Sequence, residues 1–192
     1  MVPGARVAPR LVLASASPQR RAILTELDVP FEACPTDVAE ETAGDPADVV
    51  VRNALAKARA AQARVGRDRL VLGADTEVFL DGRVFGKPAD EAEARRFLKA
   101  LAGRTHEVLS AVALLEGDAE TTGVERSAVT FRPLGPDAIE GYIATGEWRG
   151  RAGGYAVQGH GEALVASIEG DYWNVVGLPV ALLFELRPHL KP

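Results

Sequence analysis

The sequence predicts a single α/β domain, and three observations lead to that fold class. A length of 192 residues suits one compact core and is short for two independent ones. A hydrophobic content of 47% and a charged content of 26% are ordinary for globular proteins. Segments with strand character alternate with segments of helical periodicity, as in α/β folds. Residues 1–9 contain two prolines and a glycine and are expected to be a flexible tail, which leaves residues 10–192 as the domain.

The first elements are a strand, two helices and a second strand. The apolar residues 11–14 predict a short buried strand, and a helix over residues 18–27 follows, with a proline in its first turn. An aspartate N-cap followed by proline predicts a long alanine-rich helix over residues 45–65. Residues 70–74 are apolar again and predict a strand that ends at Asp75.

The middle of the chain predicts a hairpin, a helix and two long strands. Residues 76–85 read as two short strands joined by the two-residue turn Asp81-Gly82. A capping-box start and an apolar stripe predict a helix over residues 90–102. Strands are then predicted over residues 107–116 and 121–132.

The last third of the chain surrounds a glycine-rich loop. A short helix is predicted over residues 136–144, and the loop at 150–161 follows it. A strand over residues 163–168 and a final helix over residues 178–186 complete the chain. Because its glycines do not open a helix directly after a strand, the loop is interpreted as a ligand-contacting or lid loop.

Charge and cysteine content limit the classes of partner and compartment. The formal net charge of −5 argues against binding to nucleic acid duplexes, which need a broad cationic surface. A small anionic ligand needs only a local cluster of lysine and arginine. Cys34 is the only cysteine, so no internal disulfide can form, which fits a reducing, cytoplasmic setting. No segment approaches the roughly 20 apolar residues of a membrane span, so no contact with a membrane is expected.

Several common chemistries lack their sequence motifs. The chain has no Walker-type glycine loop, no histidine and glutamate at zinc-site spacing, and no nucleophile elbow. Its three histidines show no ligand spacing. The candidates that remain are carboxylates and cations near strand ends and helix starts.

The first candidate lies between the first strand and the first helix. Ser15, Ser17, Arg20 and Arg21 bring hydroxyls and guanidiniums to the positive end of that helix, an arrangement that suits a phosphate chain. The alternative interpretation is that Ser17 only caps the helix while the arginines face solvent.

The second candidate is a set of carboxylates. Asp75 can bind a metal ion or polarise a water, although aspartates at strand ends are often structural. Glu77 is on the same face of the strand by alternation and is interpreted as a solvated hairpin residue rather than a metal ligand. Glu40 lies in an acidic stretch that could complete a metal site with Asp75 or simply face water.

Single basic and amide side chains add weaker candidates. Lys57 in the long helix and Lys87 before Pro88 could each neutralise phosphate, but most lysines are solvated surface residues. Gln158 in the glycine-rich loop is a plausible reader of a nucleobase, because an amide both donates and accepts hydrogen bonds. The two tryptophans could stack on a base, although packing is the more ordinary role for each.

Taken together, these segments resemble the Maf family of nucleotide pyrophosphatases over residues 11–186. The resemblance rests on motifs that occur in family order: SASPQRR at 15–21, RNALAKA at 52–58, GADT at 73–76, GKP at 86–88, AGGYAVQG at 152–159 and NVVGLP at 174–179. It implies a mixed sheet with helices forming two lobes around a deep cleft, as in inosine triphosphate pyrophosphatases, and a homodimer.

The resemblance also implies roles for individual residues. Asp75 matches the proton acceptor, and Thr76, Gln158 and Gln19 match positions linked to substrate choice. The resemblance assigns phosphate-binding or metal-site roles to five matching positions: Ser15, Arg20, Glu40, Lys57 and Lys87. The expected reaction is hydrolysis of a nucleoside triphosphate between its first two phosphorus atoms, with Mg²⁺ or Mn²⁺ held by Asp75 and Glu40.

Two positions depart from the family pattern. The subgroup acting on dTTP and UTP has a glutamine at the position of Gln158 and usually an arginine at that of Gln19, where the 7-methyl-GTP subgroup usually has tryptophan. An apolar residue is usual where this chain has Glu77. The leading hypothesis is therefore a dTTP/UTP-type pyrophosphatase. The alternatives are a purine-type enzyme acting on inosine, xanthosine or 7-methylguanosine triphosphate, and a non-catalytic regulator of cell division.

Overall fold

The computed structural model of the protein describes residues 11–191, and the predicted tail at residues 1–9 lies outside them. Within that range the strands are β1 (Leu11–Leu13), β2 (Phe31–Ala33), β3 (Val71–Leu80), β4 (Arg83–Phe85), β5 (Thr105–Glu116), β6 (Ala119–Phe131) and β7 (Val165–Glu169). The α-helices are α1 (Pro18–Glu26), α2 (Pro46–Val65), α3 (Glu91–Leu101), α4 (Pro136–Thr145), α5 (Tyr172–Val176) and α6 (Val180–Leu186). Short 3₁₀ turns lie at Ala152–Gly154, Gly159–Leu164 and Pro188–Leu190. Of these helices, none is long and apolar enough to cross a membrane.

The strands form one mixed sheet, which confirms the predicted fold class. Their order is β2-β1-β3-β5-β6-β7, with β4 paired to β3. β1 runs parallel to both of its neighbours, whereas every other pair is antiparallel. The parallel part therefore lies at one end of the sheet, where β1 leads into α1.

The edge of β3 that faces β1 carries a gap that positions the site. β1 pairs with β3 only at Val71 and Leu72, and β4 pairs with the same strand from Val78 to Leu80. On its other edge β3 is paired with β5 from Val71 to Phe79 without interruption. Residues 73–77 therefore face neither β1 nor β4, and the sheet is open there.

One face of the sheet is covered by α2. Gly73 permits this close approach, because a Cβ at that position would lie 2.1 Å from the Ala54 carbonyl oxygen. Alanines line the contact on both sides, with Ala54 and Ala58 on the helix and Ala111 on β5 fully buried. Small side chains thus bring the backbone of α2 close to β3 along the segment that precedes Asp75.

The opposite face carries two separate apolar clusters, which correspond to the two predicted lobes. One packs α1 and α6 on the start of β3, around Leu72 and Leu183. The other packs α3 and α4 on the end of β3, around Leu98 and Phe131. The polar pair Thr76 and Ser110, directly opposite each other on β3 and β5, lies between the two clusters.

Three features differ from the sequence predictions. Asp75 lies in the middle of a ten-residue strand rather than at the end of a short one, because β5 pairs across the whole segment. β2 was missed because it is three residues long and only partly buried. α5 was missed because Tyr172–Val176 is rich in aromatic and β-branched residues, which have low helix propensity.

Candidate active site

A cavity of about 410 Å³ opens at the gap in the sheet. Its wall combines the connection from β1 to α1, the middle of β3, the glycine-rich loop and the turn after α5. All the residues to which the family resemblance assigned roles lie in this wall: Ser15, Gln19, Arg20, Glu40, Lys57, Asp75, Thr76, Lys87 and Gln158. Arg21, the other candidate arginine, is exposed and does not line the cavity. Side chains from both faces of β3 reach the cavity because no neighbouring strand covers the gap.

Asp75 is buried, and both of its oxygens accept hydrogen bonds from α2. Asn53 Nδ2 donates to Oδ2 at 3.0 Å, and Lys57 Nζ donates to Oδ1 at 2.5 Å. Asn53 and Lys57 are four residues apart, so they lie on one face of the helix. The carboxylate is therefore held in one orientation by a single rigid element.

Lys57 also joins Asp75 to Glu40. Its Nζ lies 2.6 Å from Glu40 Oε1, and Lys87 Nζ lies 3.5 Å from the same oxygen. Burial would raise the pKa of Glu40, but the hydrogen bond and charge of Lys57, with the charge of Lys87, outweigh burial and place that pKa below its usual value. The cavity thus contains two carboxylates that share one ammonium group.

Asn53 has a second role that its sequence motif did not reveal. Its Oδ1 accepts from the Glu41 backbone N–H at 2.8 Å, and its Nδ2 also donates to the Glu41 carbonyl at 3.0 Å. The acidic segment that carries Glu40 is therefore fixed to the same helix as Lys57. The spacing of four residues between Asn53 and Lys57 was the signal that could have identified Asn53.

Glu77 is buried, so its interpretation as a solvated hairpin residue was wrong. Its Oε2 has no hydrogen-bond partner within residues 11–191. Burial, followed by the negative charges of Asp75 and Glu40, raises the pKa of Glu77 to about 8. The carboxyl group is therefore mostly protonated at pH 7, and it supplies little negative charge to the cavity.

Arg20 is buried and points into the cleft, which contradicts the interpretation that it faces solvent. Its Nε donates to the Gly177 carbonyl at 2.8 Å, Nη1 to Ser15 Oγ at 3.1 Å and Nη2 to Thr76 Oγ1 at 3.1 Å. Burial lowers the pKa of Arg20, while Asp75 and other carboxylates oppose that effect. Ser17 does cap the helix, since its Oγ accepts from the Arg20 N–H at 3.4 Å.

Thr76 connects the two lobes through a buried polar network. Its Oγ1 lies 2.7 Å from Ser110 Oγ, which donates to the Asn174 carbonyl at 3.2 Å. Asn174 Nδ2 donates to the Val108 carbonyl at 3.0 Å. Ser110 and Asn174 were not predicted as site residues, because their contacts link positions more than thirty residues apart in the chain.

The glycine-rich loop is anchored to the rest of the domain by its backbone. The Gly153 N–H donates to the Gly86 carbonyl at 3.1 Å, and the Ala156 N–H donates to Tyr142 Oη at 2.9 Å. Gln158 lies beyond these anchors and is exposed at the mouth of the cavity. Neither tryptophan lies in the cavity wall, and Trp148 is buried in a hydrophobic cluster as ordinary packing predicts.

The predicted metal site is a pair of carboxylates rather than a larger cluster. Among residues 11–191, no three His, Cys, Asp or Glu side chains are grouped closely enough to hold a metal ion. Asp75 and Glu40 nevertheless present oxygens within 2.6 Å of one point, the Lys57 Nζ. Hard oxygen donors of this kind suit Mg²⁺ when phosphate oxygens and waters complete the coordination.

Fold and cavity together define an α/β protein with a polar cleft at a break in a mixed sheet, where basic and acidic side chains meet. The family model described as Maf-like protein matches residues 10–189, and the chain belongs to that family. This confirms the resemblance found in the sequence motifs.

Curated relatives cover most of the chain. A dTTP/UTP pyrophosphatase of Symbiobacterium thermophilum is 49% identical over 173 residues, which is 89% of each chain. A dTTP/UTP pyrophosphatase of Moorella thermoacetica is 52% identical over 181 residues, covering 92% of this chain and 93% of the relative. Among solved structures, the Ham1 protein of Staphylococcus aureus has a TM-score of 0.45 at 16% identity, covering 64% of this chain and 70% of that one. That score is too low to carry an argument, so the fold rests on the sheet topology described above.

Proposed function

We propose that this chain hydrolyses nucleoside triphosphates of the dTTP or UTP type to the nucleoside monophosphate and pyrophosphate. The observation that carries the proposal is that Asp75, Arg20, Lys57 and Lys87 line the same cavity. Relatives that are 49% and 52% identical over about nine tenths of the chain are named for this reaction. A buried carboxylate beside several cations suits the cleavage of a phosphoanhydride, because cations neutralise the phosphate oxygens.

In the proposed reaction, water attacks the α-phosphorus and pyrophosphate leaves. Asp75 orients the water and takes up the proton that it loses as the new phosphorus–oxygen bond forms, and that proton then passes to solvent. Arg20 and Lys87 neutralise the non-bridging oxygens. Lys57 has carboxylate partners on both sides and is placed to exchange one of them for phosphate when substrate enters.

A divalent cation, Mg²⁺ or Mn²⁺, is proposed as the cofactor. Asp75 and Glu40 would hold it, since their oxygens converge on one point and are the ligand type that these ions prefer. Such an ion would lower the pKa of an attacking water and stabilise the charge on the phosphates. Lys57 would then be free to bind phosphate.

The test is a screen of the purified protein against canonical and modified nucleoside triphosphates, with both products identified. We expect monophosphate and pyrophosphate from dTTP and UTP, and loss of turnover on chelation with recovery on adding Mg²⁺ or Mn²⁺. Preference for inosine, xanthosine or 7-methylguanosine triphosphate would establish the purine-type alternative. No pyrophosphate release from any nucleotide would overturn the proposal in favour of a non-catalytic role in cell division. A homodimer, also proposed, is tested by sedimentation of the same sample.

A further inference from the structure

Arg151 lies in the cavity wall and belongs to none of the roles assigned above. It precedes the Ala152–Gly154 turn, and its guanidinium meets Gln19 of α1 across the cleft. With the Gln19 amide oxygen turned toward Arg151, that oxygen accepts from Nη1 and Nη2 at 2.9 Å each, and the amide nitrogen donates to Ser17 Oγ at 3.0 Å. The opposite orientation would place two donors together, so the hydrogen bonds fix the orientation of the amide.

The backbone that carries Arg151 is well supported. The Arg151 N–H donates to the Trp148 carbonyl at 3.3 Å, and the Gly154 N–H donates to the Arg151 carbonyl at 3.0 Å. The next turn is attached to the loop after β4, where Gly153 N–H bonds Gly86. We therefore expect a change of partner by Arg151 to involve its side chain while the backbone stays in place.

The charge of Arg151 is balanced differently from that of the neighbouring Arg149. No ion pair found among residues 11–191 involves this residue, whereas the neighbouring Arg149 lies 3.6 Å from a Glu91 oxygen. The carboxylates of the cavity, Asp75 and Glu40, are already paired with Lys57. A guanidinium whose bonded acceptor is a neutral amide gains a stronger, charge-assisted pair when an anionic oxygen comes within reach.

We propose that Arg151 is a substrate-binding residue that exchanges Gln19 for phosphate oxygens of the nucleotide. This inference rests on the proposed function and adds one cation to those that hold the triphosphate. The guanidinium meets Gln19 in the first turn of α1, and the Gln19 amide nitrogen in turn donates to Ser17. Arg151 lines the same cavity as Ser15 and Arg20. That is the part of the cavity where the phosphate chain is expected, because a helix N-terminus and cations converge there. A planar guanidinium binds phosphate through two parallel hydrogen bonds.

The experiment compares Arg151→Gln with Arg149→Gln. Both changes remove one arginine from the same segment, but Arg149 is exposed, pairs with Glu91 and lies outside the cavity wall. Affinity for inorganic tripolyphosphate is measured by calorimetry, and KM is measured for one pyrimidine and one purine nucleoside triphosphate. Thermal unfolding of both variants checks that each is folded.

We expect R151Q to weaken tripolyphosphate binding and to raise both KM values by about 10-fold, the size of one charge-assisted hydrogen-bonding contact. R149Q should match the wild type, and Arg151→Lys should recover part of the loss because it restores the charge without the planar fork. Equal tripolyphosphate affinity for R151Q and R149Q would overturn the inference. A loss confined to one base, with tripolyphosphate binding intact, would also overturn it and make Arg151 a base reader.

A second arm tests the exchange with Gln19. Gln19→Leu removes the amide that competes with phosphate for the guanidinium, so Arg151→Gln should weaken tripolyphosphate binding more in the leucine background than in the wild type. Strict additivity would contradict the exchange. Tripolyphosphate binding does not require turnover. If the protein hydrolyses no nucleotide, the proposed function is wrong, but the binding measurement still tests the role of Arg151.

Discussion

The inner wall and the rim of the cavity are built in different ways. The inner wall, formed by Lys57 and Asp75 with Asn53 hydrogen-bonded to Asp75, is buried and comes from one helix and one strand. The rim, formed by Gln19, Lys87, Arg151 and Gln158, is half-buried or exposed and comes from a helix start and two loops. The inner wall holds its side chains in place, which suits catalysis. Residues of the rim can be substituted without disturbing the core. Substitutions in the inner wall are therefore expected to change the rate of the reaction, whereas substitutions in the rim are expected to change how the substrate is bound and selected.

The largest effect should come from the inner wall at Asp75. Asp75→Asn keeps the size of the side chain but removes its charge, so turnover should fall about 1,000-fold or more. The unfolding temperature should also drop, but the protein should stay folded because Lys57 keeps its pair with Glu40. Steady-state hydrolysis and thermal unfolding measure the two quantities. Asp81→Asn is the matched control, because Asp81 is exposed in the β3–β4 turn and asparagine tolerates its positive φ of 51°. Near-native turnover by D75N would remove Asp75 from the chemistry.

A second effect at the inner wall concerns stability. Lys57→Met leaves Asp75 buried without the ammonium that balances it, which should lower the free energy of unfolding by about 3 kcal/mol. Urea denaturation at pH 7 provides the measurement. Lys99→Met, an exposed residue of α3, should change stability little. If K57M were as stable as K99M, the buried pair would contribute nothing to the fold.

Glu77 should make stability depend on pH in an unusual direction. Its pKa is about 8 in the folded protein, against an ordinary value of 4.5, so between these values the folded state holds a proton that the unfolded state has released. Raising the pH through this window therefore lowers the free energy of unfolding, by at most about 1.4 kcal/mol per pH unit from this residue.

Glu77→Gln cannot titrate, so its stability relative to the wild type should increase between pH 5 and pH 8. Denaturation curves across that range in the absence of added metal give the difference at each pH. Glu169→Gln on β7 serves as the control, because it removes an exposed carboxylate. A difference for E77Q that does not vary with pH would show that Glu77 is ionised in the folded protein.

The smallest effect should appear at the rim. Gln158→Ala removes an exposed amide, so stability should stay within about 0.5 kcal/mol of the wild type. The ratio of kcat/KM for UTP over inosine triphosphate should fall about 10-fold, because one hydrogen bond to the base is lost. Glu162→Ala in the following turn is the control outside the cavity wall. An equal loss for both nucleotides would place Gln158 at the phosphates rather than at the base.

The sequence was sufficient for the main elements and for most polar residues of the cavity wall, but it did not identify Arg151. Periodicity, capping residues and the Asp81-Gly82 turn predicted α2, α3 and the hairpin, because those signals are local. The motifs brought Asp75, Lys57 and Arg20 into one predicted site, and the structure places them in one cavity.

The features that were missed depend on contacts between distant parts of the chain. The burial of Glu77 depends on how β3 packs in the folded domain, which no local pattern records. The link from Thr76 through Ser110 to Asn174 joins three separate elements. The contact between Gln19 and Arg151 spans the cleft and involves a position that departs from the family pattern. In each case the partner side chain is specified only by the tertiary structure.

Gly73 has a consequence for the chemistry two residues away. Because the side chain of Gly73 is a single hydrogen, the Ala54 backbone can lie against β3. Lys57 follows less than one helical turn further along α2. Any larger residue at position 73 would have to push the helix outward, and the ammonium group would be carried away from Asp75 with it. The geometry between the carboxylate and its cation is thus set by the absence of a side chain, and substitutions at position 73 should inactivate the protein without altering any polar side chain.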